Sequence, residues 1–205
     1  MKLRINPKPQ SSHVQAAPPD IQFIQQPKKR VGFTLSVIVG LILPLIPFTI
    51  LTVESYLFPR SSTYNGESIP WWIIFPVLIV CIVIHELLHL IWHPGWGLSH
   101  QSSLNIWPQK VQFGVHYDGF MSRSRWLVMR LAPLVGLTVL PTIFLMAAHF
   151  FRLPYFWQQF VNILILINSL GSGGDFLASI IVYRQVPPQG EIGIWNGRAC
   201  WRGLH

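Results

Sequence analysis

The sequence predicts an all-α membrane protein with about four transmembrane helices, and three observations carry that prediction. The chain is 51% hydrophobic and 11% charged, where an average soluble domain carries roughly 25% charged residues. Its apolar residues gather into long runs, each able to cross about 30 Å of hydrocarbon at 1.5 Å per residue. Its Lys and Arg residues cluster at alternate connections between those runs. At 205 residues there is room for one small membrane domain with a tail. Nine Trp suit a protein anchored at two membrane interfaces.

Residues 1–30 are rich in Pro, Gln and Ser and end in Lys28-Lys29-Arg30, which predicts a flexible basic arm. The arm is too long and too polar to be a cleaved signal peptide. The first apolar run spans Val31 to Val53, kinked by Pro44 and Pro47. The second runs from Pro70 to Trp92, opening with Trp71-Trp72 and closing at His93-Pro94-Gly95. The third runs from Trp126 to about Phe150 and is interrupted by Pro133 and Pro141. The fourth runs from about Trp157 to Tyr183 and contains Gly171-Ser172-Gly173-Gly174. Residues 31–184 are therefore the expected membrane domain, and residues 185–205 a C-terminal tail.

A net charge of +8 would suggest a nucleic-acid partner in a soluble protein; here its distribution speaks to topology instead. Lys2, Arg4, Lys8 and Lys28 to Arg30 precede the first run. Lys110, Arg123 and Arg125 lie between the second and third, and Arg184, Arg198 and Arg202 follow the fourth. The other two connections carry only Arg60 and Arg152. The positive-inside rule then puts both termini, and the loop from His93 to Arg125, on the cytoplasmic side of the membrane. The partners expected from this pattern are membrane lipids, with no nucleic acid. In that loop, Val111 to Tyr117 alternates about Gly114 in the pattern of a short strand or hairpin. Such a strand could pair with an extended substrate, or the loop could be an ordinary connector. Cys81 lies in an apolar run and Cys200 in the tail, which argues against a disulfide framework.

The chemistry is concentrated at His85-Glu86-Leu87-Leu88-His89, inside the second run. Polar side chains are costly in hydrocarbon and are kept there for function. On a helix, His85 and His89 share one face, so two imidazoles can hold one metal ion while Glu86 handles a proton. The bland reading is two histidines bonded to neighbouring helices. Catalytic zinc takes three protein ligands and one water, and Asp175 is the acidic residue within the other three runs at matching depth. Asp175 could instead pair with Arg130. His93 lies on the same helix face but about 12 Å from His85 along the axis, too far to share an ion with it. His116 would need the loop to fold back. Cys81 reads as a packing residue. Asn168, two turns before Asp175, could serve substrate or an oxyanion, or bond a neighbouring helix.

With HELLH in one run, Leu131-Ala132-Pro133 in the next, then Asn168 and Gly174-Asp175, the chain resembles the putative zincin peptidase family of small multi-pass membrane proteins. More distantly it is similar to the site-2 proteases, although those carry Asp-Gly and a preceding Asn-Pro where this chain has Asp175-Phe176 and no such proline. The resemblance spans about Pro70 to Tyr183. It implies Zn²⁺ held by His85, His89 and Asp175, Glu86 as base and Asn168 on the substrate side. The function expected is peptide hydrolysis by zinc-activated water within or beside the membrane. The alternative is a membrane scaffold with a structural or vestigial metal site.

Overall fold

The computed structural model describes residues 1–5, 18–57, 70–107, 112–148 and 153–203. Lys8, Arg60, Lys110, Val111, Phe150 and Arg152 of the sequence reading lie outside the described residues. The helices are α1 (Lys29–Ile42), α2 (Leu45–Leu57), α3 (Trp71–Ile91), α4 (Arg123–Leu134), α5 (Leu140–Ala148), α6 (Tyr155–Gly171) and α7 (Gly173–Gln185). A π-helical turn, Val135–Val139, joins α4 to α5. The strands are β1 (Lys2–Ile5), β2 (Ile21–Phe23), β3 (Ser102–Trp107), β4 (Gln112–Tyr117), β5 (Met121–Ser122), β6 (Glu191–Trp195) and β7 (Arg198–Arg202).

The all-α expectation is therefore corrected: the fold is mixed, with one sheet in the order β1-β3-β4 and another in the order β2-β7-β6-β5. Of these strands, only the segment that contains β4 was predicted. β1 pairs parallel to β3, Lys2 opposite Ser103, and β2 pairs antiparallel to β7, Ile21 opposite Arg202. Partners that far apart leave no periodicity in any short window, and strands of three or four residues are too short to show alternation.

The described chain divides into two units, one formed by Lys29–His85 and Pro133–Leu177, the other by Met1–Lys28, Glu86–Ala132 and Ala178–His205. Among its described residues the first carries helices and no strand. Pro44 falls in the break between α1 and α2, and Pro47 in the first turn of α2, where its missing N–H costs nothing. Phe33, Leu41, Phe75 and Ile143 are exposed, while Thr138, Thr142, Asn168, Ser169 and Ser172 are buried. Four of these groups bond one another: Thr138 and Ser169 hydroxyls lie 3.1 Å apart, Thr142 donates to the Thr138 carbonyl at 2.7 Å, and Asn168 Nδ2 donates to Thr138 Oγ1. Small residues let α1 meet α6 and α7 closely. A side chain at Gly40 would reach the Leu170 carbonyl at 2.5 Å, and one at Gly173 would collide with backbone at Ser36 and Gly40.

The second unit holds both sheets and a conventional apolar core, Ile24, Val182, Val186 and Ile192, flanked by Trp126, Leu127 and Trp201. β6 and β7 form a two-residue hairpin through Asn196 (φ 47°) and Gly197 (φ 74°), the left-handed pair that a type I′ turn requires.

Three stretches, Lys29–Leu57, Trp71–Ile91 and Arg123–Ala148, are long and apolar enough to cross a membrane. The fourth predicted run is not one straight helix. α6 and α7 meet at 47°, and they make a fourth crossing if the bent pair acts as one span. The break falls at Ser172, within the small-residue cluster, where helix propensity is lowest. It sets Asp175 in the first turn of α7, the end of a helix that favours a negative charge.

Candidate metal centre

α3 is a 21-residue helix of almost continuous aliphatic and aromatic side chains, with His85, Glu86 and His89 near its C-terminal end. Helical geometry puts His85 and His89 one turn apart on a single face. Within the helical unit, α6 and α7 deliver two polar partners to His85. Its Nδ1 lies 2.9 Å from Asn168 Oδ1 and its Nε2 lies 3.1 Å from Asp175 Oδ2.

The surroundings of Asn168 decide which nitrogen carries the proton. Asn168 is 1% exposed, and its Nδ2 donates to the Pro133 carbonyl at 2.9 Å and to Thr138 Oγ1 at 2.9 Å. A carbonyl only accepts, so the amide nitrogen must face Pro133 and the amide oxygen must face His85. Asn168 Oδ1 therefore accepts the Nδ1–H of His85, and in the neutral ring the lone pair sits on Nε2. That lone pair points at a carboxylate oxygen 3.1 Å away. Two acceptors at that separation call for a cation between them, either a proton or a metal ion.

His89 is fixed in the same way by a backbone group. Its Nδ1 lies 2.8 Å from the Met129 carbonyl and is the donor there, so Nε2 is again the nitrogen with ligand character. Glu86 faces the sheet: its Oε2 accepts the backbone N–H of Val115, on β4, at 3.0 Å. Val115 is paired in register with Leu104 of β3, yet its N–H is spent on Glu86. Val115 therefore presents its polar backbone away from β3, as alternate residues of an antiparallel edge do. β4 is the last strand of its sheet among the described residues.

His85, His89 and Asp175 supply the ligand atoms of a group able to hold a metal ion, two imidazole nitrogens and one carboxylate oxygen. These are common zinc donors, and three of them leave the fourth position of a catalytic site for water. The donor chemistry and the facing lone pairs of His85 and Asp175 both fit zinc.

The other candidates have different employment. His93 is 2% exposed, hydrogen-bonds Ser102 Oγ at 3.3 Å and packs its ring against Tyr117. Burial, followed by the charges of His89, His116, Arg130 and Arg125, lowers its pKa from 6.5 to about 4. His116 pairs with Asp118 at 3.0 Å. The Arg130 guanidinium lies over the Trp126 ring. Cys81 is buried. Sequence reasoning missed the Met129 carbonyl, the Val115 N–H and Thr138; the first two are backbone groups and carry no side-chain signal.

Two imidazoles one turn apart on a helix, a glutamate beside the first and a carboxylate from a second helix are the kinds of group that zinc metallopeptidases use. Residues 78–189, more than half of the chain, match the family described as "Putative zincin peptidase", and the chain belongs to that family. No curated protein and no solved structure matches it.

Proposed function

We propose that the protein is a membrane-embedded zinc endopeptidase of the site-2-protease type, cleaving membrane or membrane-proximal substrates from the cytoplasmic side. The observation that carries this reading is the His85 Nε2 lone pair facing Asp175 Oδ2 beside the second imidazole of one helix. His85, His89 and Asp175 would hold the ion, with Asn168 and the Met129 carbonyl orienting the two rings. When bound, zinc would supply Lewis acidity toward a substrate carbonyl and toward water near neutral pH. Glu86 takes the proton from the attacking water at a carboxylate oxygen and returns it to the leaving amine. Its bond from Val115 aims the carboxylate and ties it to β4. An extended substrate segment adds to β4 through main-chain hydrogen bonds. A transmembrane helix must unwind before it can bind this way, because its own carbonyls are already bonded. Asn168, with both polar atoms of its amide engaged, acts through His85.

Metal content tests the site. Detergent-purified wild type should carry one zinc per chain, Asp175→Ala should lose it, and His93→Asn should keep it. A well-folded wild type without zinc would leave the scaffold as the better account.

A further inference from the structure

Pro133 stands inside α4, one residue before the helix gives way to the π turn, and it is almost completely buried. Proline has no N–H to donate to the carbonyl four residues back in a helix. Four residues before Pro133 is Met129, the residue whose carbonyl accepts from His89 Nδ1 at 2.8 Å. The helix thus surrenders the backbone bond that would have occupied this acceptor. Pro133 contributes a second time through its own carbonyl, which accepts Asn168 Nδ2 at 2.9 Å. That bond sets the orientation of the amide, so that Asn168 Oδ1 accepts from His85 Nδ1 at 2.9 Å.

We propose that Pro133 is the positioning residue for both imidazoles: its missing N–H releases the Met129 carbonyl for His89, and its carbonyl locks Asn168 against His85. Both rings are thereby held with Nδ1 protonated and Nε2 as the ligand atom. The inference rests on the metal site proposed above and assigns a single backbone irregularity as the origin of its tautomers. Partners of this kind, one step behind a metal ligand, are worth about 10–100-fold in metal affinity. A kink alone would not choose a tautomer; an absent N–H does.

The decisive comparison separates the missing N–H from the ring. Pro133→Ala restores an N–H that competes for the Met129 carbonyl. Pro133→lactic acid, introduced as a backbone ester, removes the ring but offers no N–H. Zinc affinity is measured by competition with a chromophoric chelator in detergent, and folding is checked by circular dichroism and thermal melting. The expected result is a Kd raised about 10–100-fold in the alanine variant and restored by the ester. Equal loss in both variants, or no loss in folded Pro133→Ala, overturns the assignment while the metal site stands. Absence of zinc from wild type sinks the metal site, and this inference with it. If Pro133→Ala does not fold, ¹⁵N imidazole shifts in the metal-free wild type decide: His85 and His89 should both carry Nδ1–H, and Nε2–H on either would refute the proposal.

Discussion

The helical unit and the strand-bearing unit solve the burial problem in opposite ways. In the helical unit, Phe33, Leu41, Phe75 and Ile143 face outward, while Thr138, Ser169, Asn168 and Ser172 are buried. The strand-bearing unit buries Ile24, Val182, Val186 and Ile192 and uses charged pairs such as Arg202–Glu191 at 2.8 Å nearer its surface. Lipid tails are as apolar as leucine, so burying apolar surface cannot drive helices together in a bilayer, and small residues and polar bonds do so instead. Water rewards the opposite arrangement. The division also separates chemistry. His85, Asn168 and Asp175 belong to the helical unit, whereas Glu86, His89 and the strand that bonds Glu86 belong to the other.

The sharpest way to test that separation is Glu86→Gln. The amide keeps the shape of the side chain and removes its basicity. Turnover of a verified substrate in proteoliposomes should fall by about 10²–10⁴-fold, the usual contribution of a general base. Zinc content should stay at the wild-type level, because Glu86 is outside the ligand set. Loss of zinc together with activity would mean that base and ligands are not separable; undiminished turnover would remove Glu86 from the reaction.

The strand-bearing unit should also respond to acid in a way set by His93. The folded state lowers its pKa from 6.5 to about 4, so unfolding exposes a stronger base. Below pH 6.5 the unfolded chain binds a proton that the folded chain does not, and stability falls as pH drops, until about pH 4. A full shift of that size corresponds to something on the order of 3 kcal/mol. His93→Asn, which keeps an acceptor or donor near Ser102 and cannot titrate, should flatten this part of the stability curve. Parallel curves for the two proteins between pH 6.5 and 4, measured by chemical denaturation, would show that His93 does not carry the effect.

These same contrasts explain which features could be read before the structure was known. Long apolar runs announce helices, so α1 to α7 overlap the predicted runs, several of them extending a few residues past the predicted ends, and HELLH drew attention because a helix puts His85 and His89 on one face. Asp175 emerged from counting depth along two runs. The β1–β3 and β2–β7 pairings were invisible, since their partners lie about half the chain and most of the chain away, respectively. The β6–β7 hairpin was legible and overlooked: Asn196-Gly197 is a strong type I′ signal, masked by the expectation of a featureless tail. Among the groups that orient the site, the Met129 carbonyl has no side-chain signature, but a proline four residues later marks it.

Two glycines in one cluster offer the smallest and most local test of how the helical unit packs. Gly171 closes α6 and Gly173 opens α7, with only Ser172 between them. A Cβ at Gly171 would meet nothing within 4 Å, whereas one at Gly173 would collide with the backbone of Ser36 and Gly40 on α1. Backbone cannot swing aside as the end of a long side chain can, so Gly173→Ala must push α1 and α7 apart. A cost of about 1–3 kcal/mol is expected, as for other overpacked sites. Gly171→Ala should be neutral or stabilising by up to about 1 kcal/mol, because alanine is the better helix former. Thermal melts of the two variants in one detergent would decide the matter. If both shift alike, the close approach of α1 to α7 is not what holds the helical unit together. If only Gly173→Ala melts early and also loses zinc, the packing that brings Asp175 toward His85 depends on the absence of a single methyl group.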